Sequence, residues 1–276
     1  MMKKRFISVV AIILVLTMSI AFTGCSNSSE ENAAETKLEK IKKSGKIILG
    51  TSADYPPYEF HKEVNGKDEI VGFDISVAKE IAEDLGVELE IKDMEFRGLL
   101  AALKTDKVDF VIAGMTPDAE RMKEVDFSDI YYRAEHAAAV RVEDKDKYIT
   151  VSDLEGKTIG VQKGAIQEDI AKNQIESPQI KALGKVSDLM LQLKNSKVDA
   201  VVVEDAVGKA YVESNKELFL TDIRFTDEEG GSAVAVNKGN EELLNVINKT
   251  IERLQKDNLI EKFVIEANEM VENEQE

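Results

Sequence analysis

Arg121 and Glu204 are the residues of this chain whose type and placement best suit ligand chemistry. Arg121 sits one turn into a helix predicted to begin at Thr116-Pro117, just after a predicted strand end. A helix start offers N–H groups to an anion, and Gly114 lets a ligand approach the backbone closely. The guanidinium adds a planar fork that matches a carboxylate. Glu204 closes a second predicted strand, where its carboxylate complements an ammonium group. An α-amino acid carries both charges, and removing them from water is costly unless each is paired. A site for such a ligand therefore needs both residues. Tyr55, Tyr58 and Phe96 are candidates for apolar and cation–π walls. The blander alternatives are a solvated arginine, an acid at a helix start, and aromatics in the core.

Catalytic and metal chemistry find little support. The two histidines, His61 and His136, lie far apart without metal-ligand spacing. No Gly-x-Ser-x-Gly nucleophile motif is present. Gly156-Lys157-Thr158 resembles the end of a phosphate loop, but position 151 is Val where that motif needs Gly. Acidic residues are numerous, yet no pair is singled out as an acid and base.

The elements that must position these residues come from an internal repeat. Leu103-Lys104-x-x-Lys107-Val108-Asp109-x-Val111 returns as Leu193-Lys194-x-x-Lys197-Val198-Asp199-x-Val201. In each copy an amphipathic helix turns into an apolar, β-branched run of buried-strand type. Ligands of α/β sheets bind beyond the carboxyl ends of strands, so two such units point to one ligand held between them. The first unit reads as strand 45–50, an aromatic loop Ser52–Phe60, a helix after an N-cap at Asp74, strand 87–91, helix 96–104 and strand 108–113. From His136 the pattern restarts: strand 157–162, helix 165–175, strand 179–183, helix 186–195, strand 198–203 and helix 205–214. Ala137–Val140 and Ser232–Val236 read as the stretches where the chain crosses between units. Helices near 241–255 and 259–267 complete the first unit, and the final VENEQE is expected to fray. The β-α-β order implies parallel strands with right-handed crossovers.

Composition sets the class. The 276 residues suffice for two modest domains, and 36 Lys+Arg against 53 Asp+Glu give a net charge of −17. Such an acidic surface disfavours nucleic acid, whose phosphates require cations. Lys3-Lys4-Arg5 followed by the largely apolar run Phe6–Phe22 reads as a signal peptide. A plain membrane anchor is the alternative, although a 17-residue run is marginal for spanning a bilayer. Cys25 is the sole cysteine, which excludes an internal disulfide. Ser26–Thr36 is small, polar and acidic, as expected of a flexible tether.

Phe22-Thr23-Gly24-Cys25 resembles a bacterial lipobox. The resemblance extends through Ser52–Phe60, Val71-Gly72-Phe73-Asp74, Lys107–Phe110 running into Gly114-Met115-Thr116, Glu120-Arg121, Val125–Ser128 and Lys197–Val201. Together these residues are similar to the solute-binding lipoproteins of bacterial amino-acid ABC importers, over roughly residues 38 to 268. That resemblance implies an α/β, two-lobed type II periplasmic-binding-protein fold, each lobe a mainly parallel sheet flanked by helices, joined by a two-stranded hinge. It places a signal peptide at 1–24, a tether at 25–37, lobe 1 at 38–135 and 232–276, and lobe 2 at 136–231. It implies that Arg121 grips the ligand α-carboxylate, helped by Gly114 and the Thr116 hydroxyl. Glu204 would take the α-amino group, while Tyr55 and Phe96 flank the side chain, with Tyr58 nearby. Cys25 would carry lipid on the extracytoplasmic face of the membrane, and a permease would be the partner of a monomeric receptor. Neither cofactor nor metal is implied.

Three departures bear on the ligand. Gly164 is followed by Ala165-Ile166 where the family often has two hydroxyl residues, which leaves only backbone N–H groups there. Ser52 replaces an Asp common among members selecting basic side chains or glutamine. Glu204 replaces the commoner Asp and reaches one methylene further. An enzyme on the same fold, such as a cyclohexadienyl dehydratase, and an extracellular sensor domain stay open as alternatives; a sensor would be expected to carry a second span or signalling domain.

Overall fold

The computed structural model describes residues 35–227 and 230–272 of the chain. The signal segment, Cys25 and most of the tether lie outside the described residues. The first described helix is Lys37–Ser44, where the Thr36 side chain and Glu39 form a capping box. Strand β1 (Lys46–Thr51) follows, then β2 (Asp54–Tyr55), β3 (Glu59–Val64), β4 (Lys67–Val71) and helix Phe73–Leu85. Next come β5 (Glu88–Asp93), a 3-10 turn at Phe96–Gly98 leading into helix Leu99–Lys104, β6 (Phe110–Val111), helix Arg121–Glu124 and β7 (Val125–Phe127).

The second unit holds β8 (His136–Arg141), β9 (Thr158–Gln162), helix Ile166–Gln174, β10 (Gln179–Leu183), helix Val186–Lys194, β11 (Ala200–Glu204), helix Asp205–Ser214 and β12 (Leu218–Phe225). The chain then returns through β13 (Ala235–Asn237) to helices Glu241–Lys256 and Leu259–Glu272.

Two five-stranded sheets share one plan. The first has the order β5-β1-β6-β13-β7 and the second β10-β9-β11-β8-β12. In each, three strands run parallel, and the fourth strand in the order is antiparallel to its neighbours. The predicted crossing at Ala137–Val140 is corrected, because those residues lie in β8 inside the second sheet and the outgoing crossing falls earlier, near Tyr132; of the predicted return stretch Ser232–Val236, Ser232 pairs with Tyr132 and Ala235-Val236 already belong to β13. All five residues of β11 are buried, as a central strand covered by helices on both faces requires. Helix Phe73–Leu85 buries the predicted face of Ile75, Ala78, Ile81, Ala82 and Leu85. Each large apolar side chain so buried contributes about 2 kcal/mol.

The lobes are joined where Tyr132 bridges Ser232 in antiparallel fashion. Tyr131 N donates to Ser232 O at 3.0 Å and Ser128 N to Val234 O at 2.9 Å, which gives the two-stranded link the resemblance implied.

Several local expectations are corrected. Thr116 does not start a helix: residues 115–118 carry no regular structure, and the only helical residues there are Arg121–Glu124. Asp118, two residues beyond Thr116, accounts for this, because its carboxylate accepts the Arg121 N–H at 2.8 Å and so starts the helical turn at Arg121. The helix-start anion site proposed at Thr116 is therefore absent. Asp74 is not an N-cap; Gly72 holds that position at φ 127°, where a Cβ would lie 2.1 Å from the Tyr58 carbonyl oxygen. The aromatic loop is partly a hairpin, turning at Asn65-Gly66 with positive φ at both residues. Strand β12 was not anticipated. The last helix runs on to Glu272, and Val271 is buried against Phe60, Val71 and Ala210. It packs on helices Phe73–Leu85 and Glu241–Lys256 and also on Asp205–Ser214, so it touches both sheets' helical layers.

Candidate ligand-binding site

A small cavity lies between the carboxyl ends of the two sheets. Tyr55, Phe96, Ala113, Gly114, Thr116 and Arg121 line it from the first lobe, and Gln162, Ala165, Ile166 and Gln167 from the second. Its volume of about 10 Å³ is no more than one water requires. A ligand of amino-acid size therefore enters only as the lobes part. A larger, open groove of about 710 Å³ adjoins it, sharing Ile166 and bearing Asp118, Glu120, Asp169 and Asp227. The small cavity has the convergent polar groups and aromatic walls expected of a specific site.

Arg121 reaches across the cleft. Its Nη1 donates to Thr116 O at 2.6 Å and its Nη2 to Gly164 O, in the second lobe, at 2.9 Å. Nε pairs with Asp118 at 3.0 Å, and the guanidinium sits 5.4 Å from the Phe96 ring centroid. The side chain is 11% exposed. A guanidinium carries five donors in a fixed fork, so a ligand carboxylate can join these partners or exchange with the Gly164 carbonyl.

Glu204 is 4% exposed and does not line the cavity itself. Its carboxylate accepts the Tyr58 hydroxyl. It thus stands behind the aromatic wall. Burial raises its pKa to about 7, opposed by the nearby His136 and the Tyr58 hydroxyl. Arg121 and Glu204 accordingly flank one cleft from opposite lobes, separated by Tyr55 and Tyr58.

The remaining predicted residues divide. Thr116, Gly114, Tyr55, Phe96, Ala165 and Ile166 meet at the cavity, whereas Tyr58 and Ser52 do not. The Ser52 hydroxyl instead donates to Asp54 at 3.3 Å. Gly114 has a different part from the one expected. Its N–H is given to the Asp74 carboxylate at 2.9 Å, and with φ +55° a Cβ there would meet the Tyr55 ring at 3.3 Å. Asp74 also accepts the Tyr131 hydroxyl at 2.7 Å, and burial raises its pKa to about 6.

Gln162, Gln167, Asp118 and His136 were missed as site residues. Gln167 Nε2 donates to the Tyr55 hydroxyl at 3.3 Å and lies 3.4 Å from His136 Nδ1, while His136 Nε2 is 3.3 Å from Asp227. The rule that ligands bind at strand ends pointed to Gln162, the last residue of a predicted strand. Nothing in sequence spacing marked His136. Among the described residues no group of three or more His, Cys, Asp or Glu is placed to hold a metal ion.

Residues 47–265 match the family model for bacterial extracellular solute-binding proteins, family 3. The chain belongs to that family. The arginine-binding extracellular protein ArtP of Bacillus subtilis is 39% identical over 268 residues, 95% of this chain and 96% of its own length. The L-cystine-binding protein TcyJ of Escherichia coli is 30% identical over 260 residues, 94% and 92% of the two chains. Among solved structures, the amino-acid ABC transporter substrate-binding protein AbpA of Streptococcus pneumoniae, bound to L-arginine, superimposes with a TM-score of 0.81. It is 39% identical, and the match covers 84% of this chain and 98% of that one. This family 3 protein is thus an extracytoplasmic solute-binding protein, similar over nearly its whole length to amino-acid receptors of ABC importers.

Proposed function

We propose that the protein captures an L-amino acid with a cationic side chain, arginine foremost, and delivers it to an ABC permease. The observation carrying this reading is the cavity walled by both lobes, with Arg121 on one side and the Glu204 carboxylate behind Tyr55 and Tyr58 on the other. The carboxylate of the ligand meets the guanidinium fork, and its ammonium meets Glu204 once the tyrosines turn aside. Tyr55 and Phe96 offer flat faces to an extended guanidinium side chain, and the adjoining groove is acidic. Relatives named for arginine binding support the choice; Ser52, where an Asp is common, is the residue that argues against it.

Closure follows from contacts made by both lobes at once, since a ligand shifts an equilibrium only by its differential affinity. Capture without turnover is supported by the names of the relatives, which are binding proteins. Cys25, preceded by Phe22-Thr23-Gly24, is assigned as the lipid-bearing residue that tethers a monomeric receptor to the membrane. No described helix is long and apolar enough to cross a membrane.

Thermal unfolding of the form beginning after Cys25, screened against the L-amino acids, tests this. A ligand at 1,000 times its Kd stabilises by about 4 kcal/mol, so L-arginine should raise the melting temperature by several degrees. No shift with any amino acid would overturn the receptor reading, and a shift with neutral ligands only would overturn the cationic one.

A further inference from the structure

Glu59 opens strand β3 opposite Tyr55 of β2 and is fully buried. No N–H or O–H group of the described residues reaches either of its carboxyl oxygens. What lies within hydrogen-bonding reach is a second buried carboxyl, that of Asp74 in helix Phe73–Leu85. Two carboxylates only accept hydrogen bonds, so this contact becomes a bond only when one of them carries a proton. Asp74 is the one equipped for the charge: its Oδ2 accepts the Gly114 N–H at 2.9 Å and its Oδ1 the Tyr131 hydroxyl at 2.7 Å. Glu59 has no such donors. The other ionisable groups facing it are Asp54 from β2 and Glu204 from β11, both acids, and the Tyr55 and Tyr131 hydroxyls. Burial and the neighbouring Asp74 carboxylate accordingly hold the Glu59 pKa well above the usual glutamate range.

We propose that Glu59 is protonated in the folded protein and donates that proton to Asp74, so that the two carboxyls share one negative charge. The pair stands where the ligand loop meets the hinge, because Gly114 lines the cavity and the Tyr131 N–H bonds the Ser232 oxygen of the return link. Glu59 is thus a positioning residue that acts through Asp74. Its proton also favours closure. Glu204 arrives with the second lobe, and its negative charge penalises an ionised Glu59. By reciprocity, a charge on Glu59 disfavours the closed arrangement to the same extent. Neither the proton nor its effect depends on which ligand the cleft takes.

Infrared difference spectra of the whole mature ligand-free protein at about pH 8, wild type minus Glu59→Gln, test the assignment. The variant keeps a donor for Asp74 but has no acid proton, so a protonated-carboxyl C=O band should appear in the difference. At that pH Asp74 and Glu204, with pKa values of about 6 and about 7, contribute little. Absence of the band means an ionised Glu59 and overturns the proposal. If the variant does not fold, isotopic labelling of glutamate carboxyl carbons in Glu204→Gln protein takes its place, and a band that does not move with the label overturns the proposal equally. A group whose folded pKa is raised stabilises fully below its unfolded value and loses that contribution as pH rises through the folded one. Melting temperature should therefore fall less from about pH 6 to about pH 9 in Glu59→Gln than in the wild type, and the radius of gyration should rise less. Parallel melting profiles overturn the shared proton, and parallel radii overturn its link to closure.

Discussion

The Tyr58 hydroxyl in the first lobe donates to the Glu204 carboxylate in the second, a buried hydrogen bond between residues 146 positions apart. It ties the lobes together at the back of the aromatic wall and keeps the acid out of water. The raised pKa of Glu204, about 7, is the electrostatic cost of that position, and it sets the pH behaviour of the protein.

A folded-state pKa of about 7 against an ordinary 4.5 means that the native state binds this proton more tightly than the unfolded chain. The stabilisation is fully present below about pH 4.5 and is lost as pH rises through about 7, a change of roughly 3 kcal/mol for one group. Asp74, raised to about 6, and Glu59, raised well above its usual value by burial and the neighbouring Asp74, act in the same direction. Ligand-free melting temperatures should therefore fall between pH 5 and pH 8 more steeply in the wild type than in Glu204→Gln. Parallel profiles would contradict this.

Binding should show the converse dependence. An ammonium beside Glu204 favours the carboxylate, so capture at pH 6 releases close to one proton, and affinity rises with pH until about 7. Calorimetry in buffers of differing ionisation enthalpy reads the proton directly. Proton uptake, or none, would remove Glu204 from the ammonium site.

Arg121→Ala removes the fork and the bond to Gly164 across the cleft. Leaving a desolvated carboxylate unpaired should cost about 2–5 kcal/mol of binding. Arg121→Lys should recover part of it, because a lysine keeps the charge but not the bidentate geometry. Equal affinity for all three proteins would exclude the contact.

Asp54 in the first lobe caps a helix of the second. Its Oδ2 accepts the N–H groups of Val186 at 2.5 Å and Ser187 at 3.3 Å, and the Tyr211 hydroxyl donates to its backbone oxygen at 2.9 Å. Asp54→Ala should withdraw about 1 kcal/mol of capping energy from the closed arrangement. Solution scattering should then record a more open ligand-free protein, with ligand affinity about fivefold lower; an unchanged radius of gyration would count against it.

Gly114 holds φ +55° with the Tyr55 ring against it. Gly114→Ala should lower stability by about 1–3 kcal/mol through backbone strain, measured by denaturant unfolding. A neutral effect would mean that the segment relaxes freely.

The parallel-strand and helix pattern was legible because helix and strand periodicities are local: helix Asp205–Ser214 and strand Gln179–Leu183 have the bounds the pattern predicts. Strand Leu218–Phe225 was not legible, since its Thr221, Asp222 and Arg224 interrupt the apolar alternation and only pairing with β8 makes it a strand. Thr116-Pro117 carried a strong helix-start signal, yet the Asp118 carboxylate delayed the helix to Arg121. That outcome depends on a side-chain bond which competes with propensity.

By itself the sequence determined the elements, the repeat and the charge types available to a ligand, because these follow from residue chemistry and short-range periodicity. Only the tertiary structure decided which groups share the cavity: it brought in Gln162 and Gln167, left out Ser52, and set Glu204 behind Tyr58. For Gln167 and Glu204 the partners come from the opposite lobe, and no local pattern encodes a contact between residues more than a hundred positions apart.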